Sequence, residues 1–237
     1  MKTYEIIILG SGFTSFGLVS REKSSLIIEK SECLDTSFYL PLKSYNYTPF
    51  TPSANGAKRL GEIFSELNLF DGKKQNVNGF DVALCNYANE IDCDVLLRTT
   101  VLSIEKVNGN YEVTVQNNGG TKTYKAKKVI DTRSEKLNPK YTVLFTGSEA
   151  RKQEVEKAFS VKASNAFYDG WYALTFDASG YHINDVTVYV YNVWNNFSLK
   201  AKILYMPPKF SYSSANKLCD DYYDNPIKAF EAGEVQL

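Results

Sequence analysis

Tyr4-Glu5-Ile6-Ile7-Ile8-Leu9 runs without a break into Gly10-Ser11-Gly12-Phe13-Thr14-Ser15, and Ser25-Leu26-Ile27-Ile28-Glu29 follows shortly after. The first run is short, apolar and rich in isoleucine, which predicts a buried strand. The glycines predict a tight turn into a helix, and the second apolar run predicts a neighbouring strand that ends in an acid. No other stretch constrains the fold as much, because strand, turn, helix and strand in this order open a parallel α/β sheet. Gly10 permits the turn, and Gly12 lets backbone come close to a pyrophosphate. A helix starting near Phe13 offers that anion free N–H groups and the positive end of its dipole. Glu29 stands 19 positions after Gly10, where a carboxylate accepts hydrogen bonds from ribose hydroxyls. Ser15 replaces the third glycine of such turns, whose task is close packing of helix on strand, and Gly17 lies two residues on. The alternative is an ordinary buried strand with a glycine turn that binds nothing.

A chain of 237 residues has room for one large domain or two modest ones. Lys+Arg and Asp+Glu both total 27, so no net field draws it to nucleic acid or to an anionic membrane. No apolar run approaches the roughly 18 residues of a membrane span. The N-terminus lacks the cleavage site of a signal peptide. Cys33, Cys85, Cys93 and Cys219 form no C-x-x-C pair, which argues against a redox dithiol or a zinc knuckle and for reduced cytoplasmic thiols.

Beyond Glu29, residues 31–55 contain Pro41, Pro49 and Pro52 and predict an ordered stretch with little regular structure. Helices are expected over 57–67 and 79–91. Asp94 to Lys106, Tyr111 to Gln116 and Thr121 to Ala126, joined by Asn/Gly turns, predict an antiparallel meander. Ala126 to Thr132 predicts a buried strand returning to the parent sheet. A helix over 149–159, strands over 166–176, 185–194 and 197–205, an Asn195-Asn196 hairpin and a helix over 213–223 follow. A boundary between Arg133 and Pro139 is expected to separate residues 1–135 from a smaller antiparallel α+β unit at 136–237.

The N-terminal turn, together with "VLLRTTVLSIEK…YEVTVQNNGGTKTYKAKKVIDTR", resembles FAD-dependent oxidoreductases of the two-dinucleotide-binding-domain type. The likeness covers residues 3 to about 135, with a gap over 31–75. It implies a Rossmann-like FAD/NAD(P)-binding domain with a meander, FAD as cofactor and a small organic substrate held beneath the antiparallel sheet. Carried over by residue, Gly10, Ser11, Gly12, Phe13, Thr14 and Ser15 would border the pyrophosphate. Glu29 would bind the adenosine ribose with Lys30 near the adenine, Val101 would pair its backbone with the adenine edge, and Asp131, Thr132 and Arg133 would border the nucleotide.

Two departures stand out. Arg133 takes the place of a glycine, where its guanidinium either clashes with a phosphate or pairs with it. Relatives also return to the nucleotide domain in a last segment bearing a Gly-Asp motif, and Asp224 to Leu237 shows none. The segment is then absent, supplied by a protein partner, or the flavin is held incompletely. A degenerate flavoprotein fold acting as a binding subunit is the alternative to an enzyme. An NAD- or S-adenosylmethionine-dependent enzyme ranks behind both, since such folds alternate strand and helix throughout. His182 is the sole histidine; a surface turn is favoured over a proton relay. The aromatics at 167–172 are expected in a half-buried strand, Asp94 and Arg98 as solvated charges, and Cys33 as a structural thiol.

Overall fold

A computed structural model of the chain describes residues 3–43, 50–70, 76–133 and 137–236. Pro49 and the middle of the expected 133–139 boundary lie outside the described residues. Strand β1 (Thr3–Leu9), helix α1 (Phe13–Val19) and strand β2 (Ser25–Ile28) occur in the expected order. β1 and β2 are parallel, Ile6 facing Ser25 and Leu9 facing Ile28. The run Asp94 to Lys106 is two strands, β3 (Cys93–Leu96) and β4 (Thr100–Val107). Arg98, at φ 50°, turns the chain between them, and the N–H of Thr99 donates to the carbonyl of Glu29 at 2.9 Å. That bond brings the start of β4 beside the end of β2.

β5 (Asn110–Asn117) and β6 (Gly120–Asp131) complete the meander. Asn108 and Gly109 both take positive φ, 49° and 84°, as a two-residue turn matching strand twist requires. The third meander strand and the return strand are one element. β6 pairs with β5 antiparallel through Ala126, and with β1 parallel from Lys125 to Asp131. The sheet order is β3-β2-β1-β6-β5-β4. Helices α2 (Asn55–Glu66) and α3 (Phe80–Ala88) cover one face. Period-two alternation divides the parallel strands: Ile6, Ile8 and Ile27 meet these helices, while Ile7, Leu9 and Leu26 pack with Val113 and Val115.

The second sheet contains β7 (Leu137–Thr146), β8 (Ala163–Asn165), β9 (Trp171–Asp177), β10 (Lys202–Tyr205) and β11 (Ser211–Ser213), with α4 (Glu149–Phe159) as expected. Its order is β10-β7-β9-β8, with β11 also paired to β7. The expected strand over 185–194 is instead helix α5 (Ile183–Asn196). β-branched residues suggested a strand, but the buried Val186, Val190 and Trp194 recur every four positions, which is helical periodicity. Asn195-Asn196 therefore ends a helix and is no hairpin, and only Lys202–Tyr205 of the next run is strand. The expected helix over 213–223 is a loop with one 3-10 turn at Asp220–Tyr222.

Helix α6 (Pro226–Glu234), with Pro226 in its first turn, packs across α1. Asn225 caps it, its Oδ1 accepting from Ile227 N at 2.9 Å and Lys228 N at 3.1 Å. Gly17 and Gly233 form the crossing, where a Cβ at either would fall 2.0 Å and 2.2 Å from the carbonyl oxygens of Phe230 and Thr14 respectively. Gly17 thus packs on α6, not on a strand as expected. The same segment supplies acceptors to α2, which has neither its own side-chain cap nor an acid in its first turn. Glu231 accepts from Ser53 N and Ala54 N at 2.7 and 2.8 Å, and Glu234 from Gly56 N and Ala57 N at 3.0 and 2.9 Å. Among the described residues, no helix is long and apolar enough to cross a membrane.

Candidate functional site

The β1–α1 turn opens onto a cleft of about 420 Å³. Gly10, Ser11, Gly12 and Ser15 line it from the turn, Glu29 and Lys30 from the end of β2, Val101 from β4, and Thr132 and Arg133 from the end of β6. Four segments therefore meet where the C-termini of β1, β2 and β6 gather beside the start of β4, the usual ligand position of such sheets. Gly10 adopts φ +100°, the left-handed region that favours glycine. Ser15 does more than stand in for a glycine. Its hydroxyl donates to the Gly10 carbonyl at 2.9 Å and lies 2.7 Å from the Thr132 hydroxyl, tying turn to β6.

Glu29 is nearly buried and organises the turn. Its Oε2 accepts from Ser11 N at 2.9 Å, and its Oε1 from Ser31 N at 2.7 Å. A carboxylate has about four acceptor positions, so capacity remains for a ligand hydroxyl. Phe13 contributes to the turn through its backbone N–H. The Phe13 ring is core, edge-on to Phe38, Phe64 and Phe80 at centroid distances of 5.4, 5.8 and 5.7 Å. Asp131 does not line the cleft. It holds Arg133 in a two-pronged ion pair, Arg133 Nε reaching Asp131 Oδ1 at 2.8 Å and Nη2 reaching Oδ2. Arg133 thus lines the cleft while paired, half-exposed, with the neighbouring carboxylate.

Sequence reasoning missed the residues that close the cleft from the C-terminal half, Lys209, Tyr212, Asp220 and Asp221. The Nζ of Lys209 donates to the Thr36 carbonyl at 3.0 Å, and burial lowers its pKa. Asp220 matters most. Its Oδ2 and Oδ1 accept from Phe13 N and Thr14 N, both at 2.8 Å. Gly12 is extended, and a Cβ there would lie 2.2 Å from Asp220 Oδ2. The close approach that Gly12 allows is thus made by the protein's own carboxylate. Asn225-Pro226, a cap residue followed by proline, was the signal that this segment starts a helix.

Asp35 lies behind the turn, fully buried, accepting from Ser37 N, Phe38 N and Tyr39 N at 3.1, 2.8 and 2.9 Å. Burial first, and then the Asp220 charge, push its pKa up to about 8, against about 3.9 for a free aspartate. A carboxyl whose pKa is raised on folding binds its proton more tightly in the native state. Stability is then full below the ordinary value and is lost as pH rises through about 8. The urea midpoint is expected to fall between pH 5 and 8, and to fall less in Asp35→Asn. Equal slopes for both proteins would remove Asp35 from this role.

A second cavity of about 660 Å³ adjoins the cleft and shares Tyr212 and Asp221 with it. Phe176, Tyr222 and Tyr223 line it together with Lys43, Lys140 and Lys228. His182 is exposed at the start of α5 and borders neither space. The aromatics at 167–172 mostly precede β9, where Tyr168 is half exposed. Arg98 is exposed and pairs with Glu32 at 2.7 Å, Asp94 accepts from Tyr4 at 2.7 Å, and burial pushes the Cys33 thiol up to about 11.

For the FAD that the resemblance implies, the adenosine end fits: a buried acceptor at Glu29 and an open volume beside Val101 and Lys30. The diphosphate end is shaped for an anion, and the Asp220 carboxylate lies in it.

No family model and no curated protein matches the sequence. Solved structures match in fold. p-Nitrophenol 4-monooxygenase from Pseudomonas putida aligns over 98% of this chain and 76% of its own, with a TM-score of 0.55 and 10% identity. A flavoprotein/dehydrogenase from Cytophaga hutchinsonii aligns over the same shares, 98% and 76%, with a TM-score of 0.51 and 11% identity. Aklavinone-11 hydroxylase, solved with FAD and aklavinone, aligns over 87% of this chain and 53% of its own, with a TM-score of 0.55 and 11% identity. This chain therefore spans about half the length of that hydroxylase. The mixed α/β architecture, a parallel and antiparallel sheet beside a separate antiparallel sheet, is that of these flavoproteins.

Proposed function

We propose that the protein binds FAD in the cleft and acts as an FAD-dependent oxidoreductase on a small organic substrate held in the adjoining cavity. The observation that carries this reading is the meeting of the β1–α1 turn, Glu29 and the β4 and β6 ends on one cleft. Bound flavin would supply hydride or electron transfer, chemistry that asks little of side chains. The chain's residues have the remaining tasks. Glu29 takes the ribose hydroxyls, Ser15 and Thr132 fix the turn, and Tyr212 and Asp221 form the wall between cofactor and substrate. A cytoplasmic location belongs to the same reading and agrees with the lack of a C-x-x-C pair in the sequence.

A second reading, a flavoprotein fold that acts by binding a partner, is favoured by one observation, the Asp220 carboxylate at the diphosphate end. Calorimetric titration with FAD, NAD and S-adenosylmethionine separates the readings. Saturable binding of FAD alone is expected. Binding of either other ligand in preference to FAD would replace the cofactor assignment, and binding of none would favour the partner reading.

A further inference from the structure

We propose that Asp220 is a built-in competitor for the diphosphate of the cofactor and so sets cofactor affinity, an inference that rests on the FAD reading above. The turn from Gly10 to Thr14 is rich in N–H groups, yet nearly all are engaged. Gly10 N donates to the Ile28 carbonyl at 2.9 Å and Ser11 N to Glu29 at 2.9 Å. Phe13 N and Thr14 N donate to Asp220, each at 2.8 Å. Among the described residues only the Gly12 N–H in this turn lacks an acceptor. Asp220 thus sets a carboxyl group, its pKa raised by burial and opposed by two helix N–H bonds, at the place where the turn would receive a phosphate.

A phosphate entering the cleft meets like charge there. The repulsion is little screened, because Asp220 is buried. The diphosphate can take the Phe13 and Thr14 donors only if the Asp220 carboxylate leaves them. Asp220 sits on a three-residue 3-10 turn between loops, outside the long elements. Glu231 and Glu234 supply carboxylates to α2 in a similar way, which raises the bland alternative that Asp220 only caps α1. The difference lies in position, since Asp220 borders the 420 Å³ cleft and neither glutamate does.

The two roles separate by ligand. FAD, ADP and adenosine are titrated calorimetrically into the wild type, Asp220→Asn and Asp220→Ala, with thermal unfolding to establish that each is folded. Removal of the charge is expected to tighten FAD and ADP by about tenfold or more, the scale of charge-assisted bonds, and to leave adenosine unchanged. If wild type binds FAD and both variants bind it equally or more weakly, the competitor role is overturned while the FAD reading stands. An equal gain for adenosine also overturns it, because that gain is independent of phosphate. If no folded form binds FAD or ADP, the FAD reading fails and the competitor role falls with it.

Discussion

Gly17→Ala is expected to lower stability by about 3 kcal/mol or more, the upper end of overpacking effects. The added methyl would fall 2.0 Å from the carbonyl oxygen of Phe230 and 2.9 Å from the amide of Glu234. Neither obstacle is the end of a flexible side chain, so relief requires α6 to move off α1. That movement also disturbs α2, because Glu231 and Glu234 on α6 accept its first amides. Urea unfolding measures the effect, with Gly61→Ala as the control. A Cβ at Gly61 meets only Ile227 Cδ1, at 3.9 Å, so that change is expected to be neutral or to stabilise α2 by up to about 1 kcal/mol. An unchanged midpoint for Gly17→Ala would show that α1 and α6 do not cross backbone to backbone.

Glu29→Ala is the second large effect, and it acts on fold and site together. It removes the acceptor of two backbone amides, Ser11 N and Ser31 N, held at 2.9 and 2.7 Å. An orphaned buried donor costs about 1–3 kcal/mol, so a total loss near 3 kcal/mol is expected. On the proposed reading FAD affinity also falls by about tenfold or more, since charge-assisted bonds to ribose are lost. Glu29→Gln keeps one acceptor oxygen and is expected to restore part of the stability. A folded Glu29→Ala protein with wild-type affinity for FAD would show that Glu29 does not touch the ribose.

What the sequence made legible follows from the range of each signal. The β1–α1–β2 unit is written in local periodicity and turn chemistry and stands where the pattern puts it, whereas the first run of the meander divides at Arg98 into β3 and β4, and its last run continues into the return strand as β6. Gly10, Ser11, Ser15 and Glu29 share the cleft wall because the turn after β1 and the end of β2 lie side by side, a placement that the strand-turn-helix-strand order makes legible. α5 was misread because Val186, Val188 and Val190 favour strands by residue type, while burial of every fourth position decides for helix. Asp220 could not be read from any local pattern. It lies 207 residues from Phe13, and only the return of α6 to α1 brings the two together. Asp131 and Arg133 are two residues apart and pair with each other, a local bond that the reading of their separate roles did not include.

The central claim is that the cleft beside Glu29 holds FAD. The direct measurement is the visible absorption spectrum of the folded protein after incubation with excess FAD and gel filtration. The account predicts a flavin band that travels with the protein, stronger in Asp220→Asn than in the wild type. Folded protein of both forms emerging without a flavin band would contradict it.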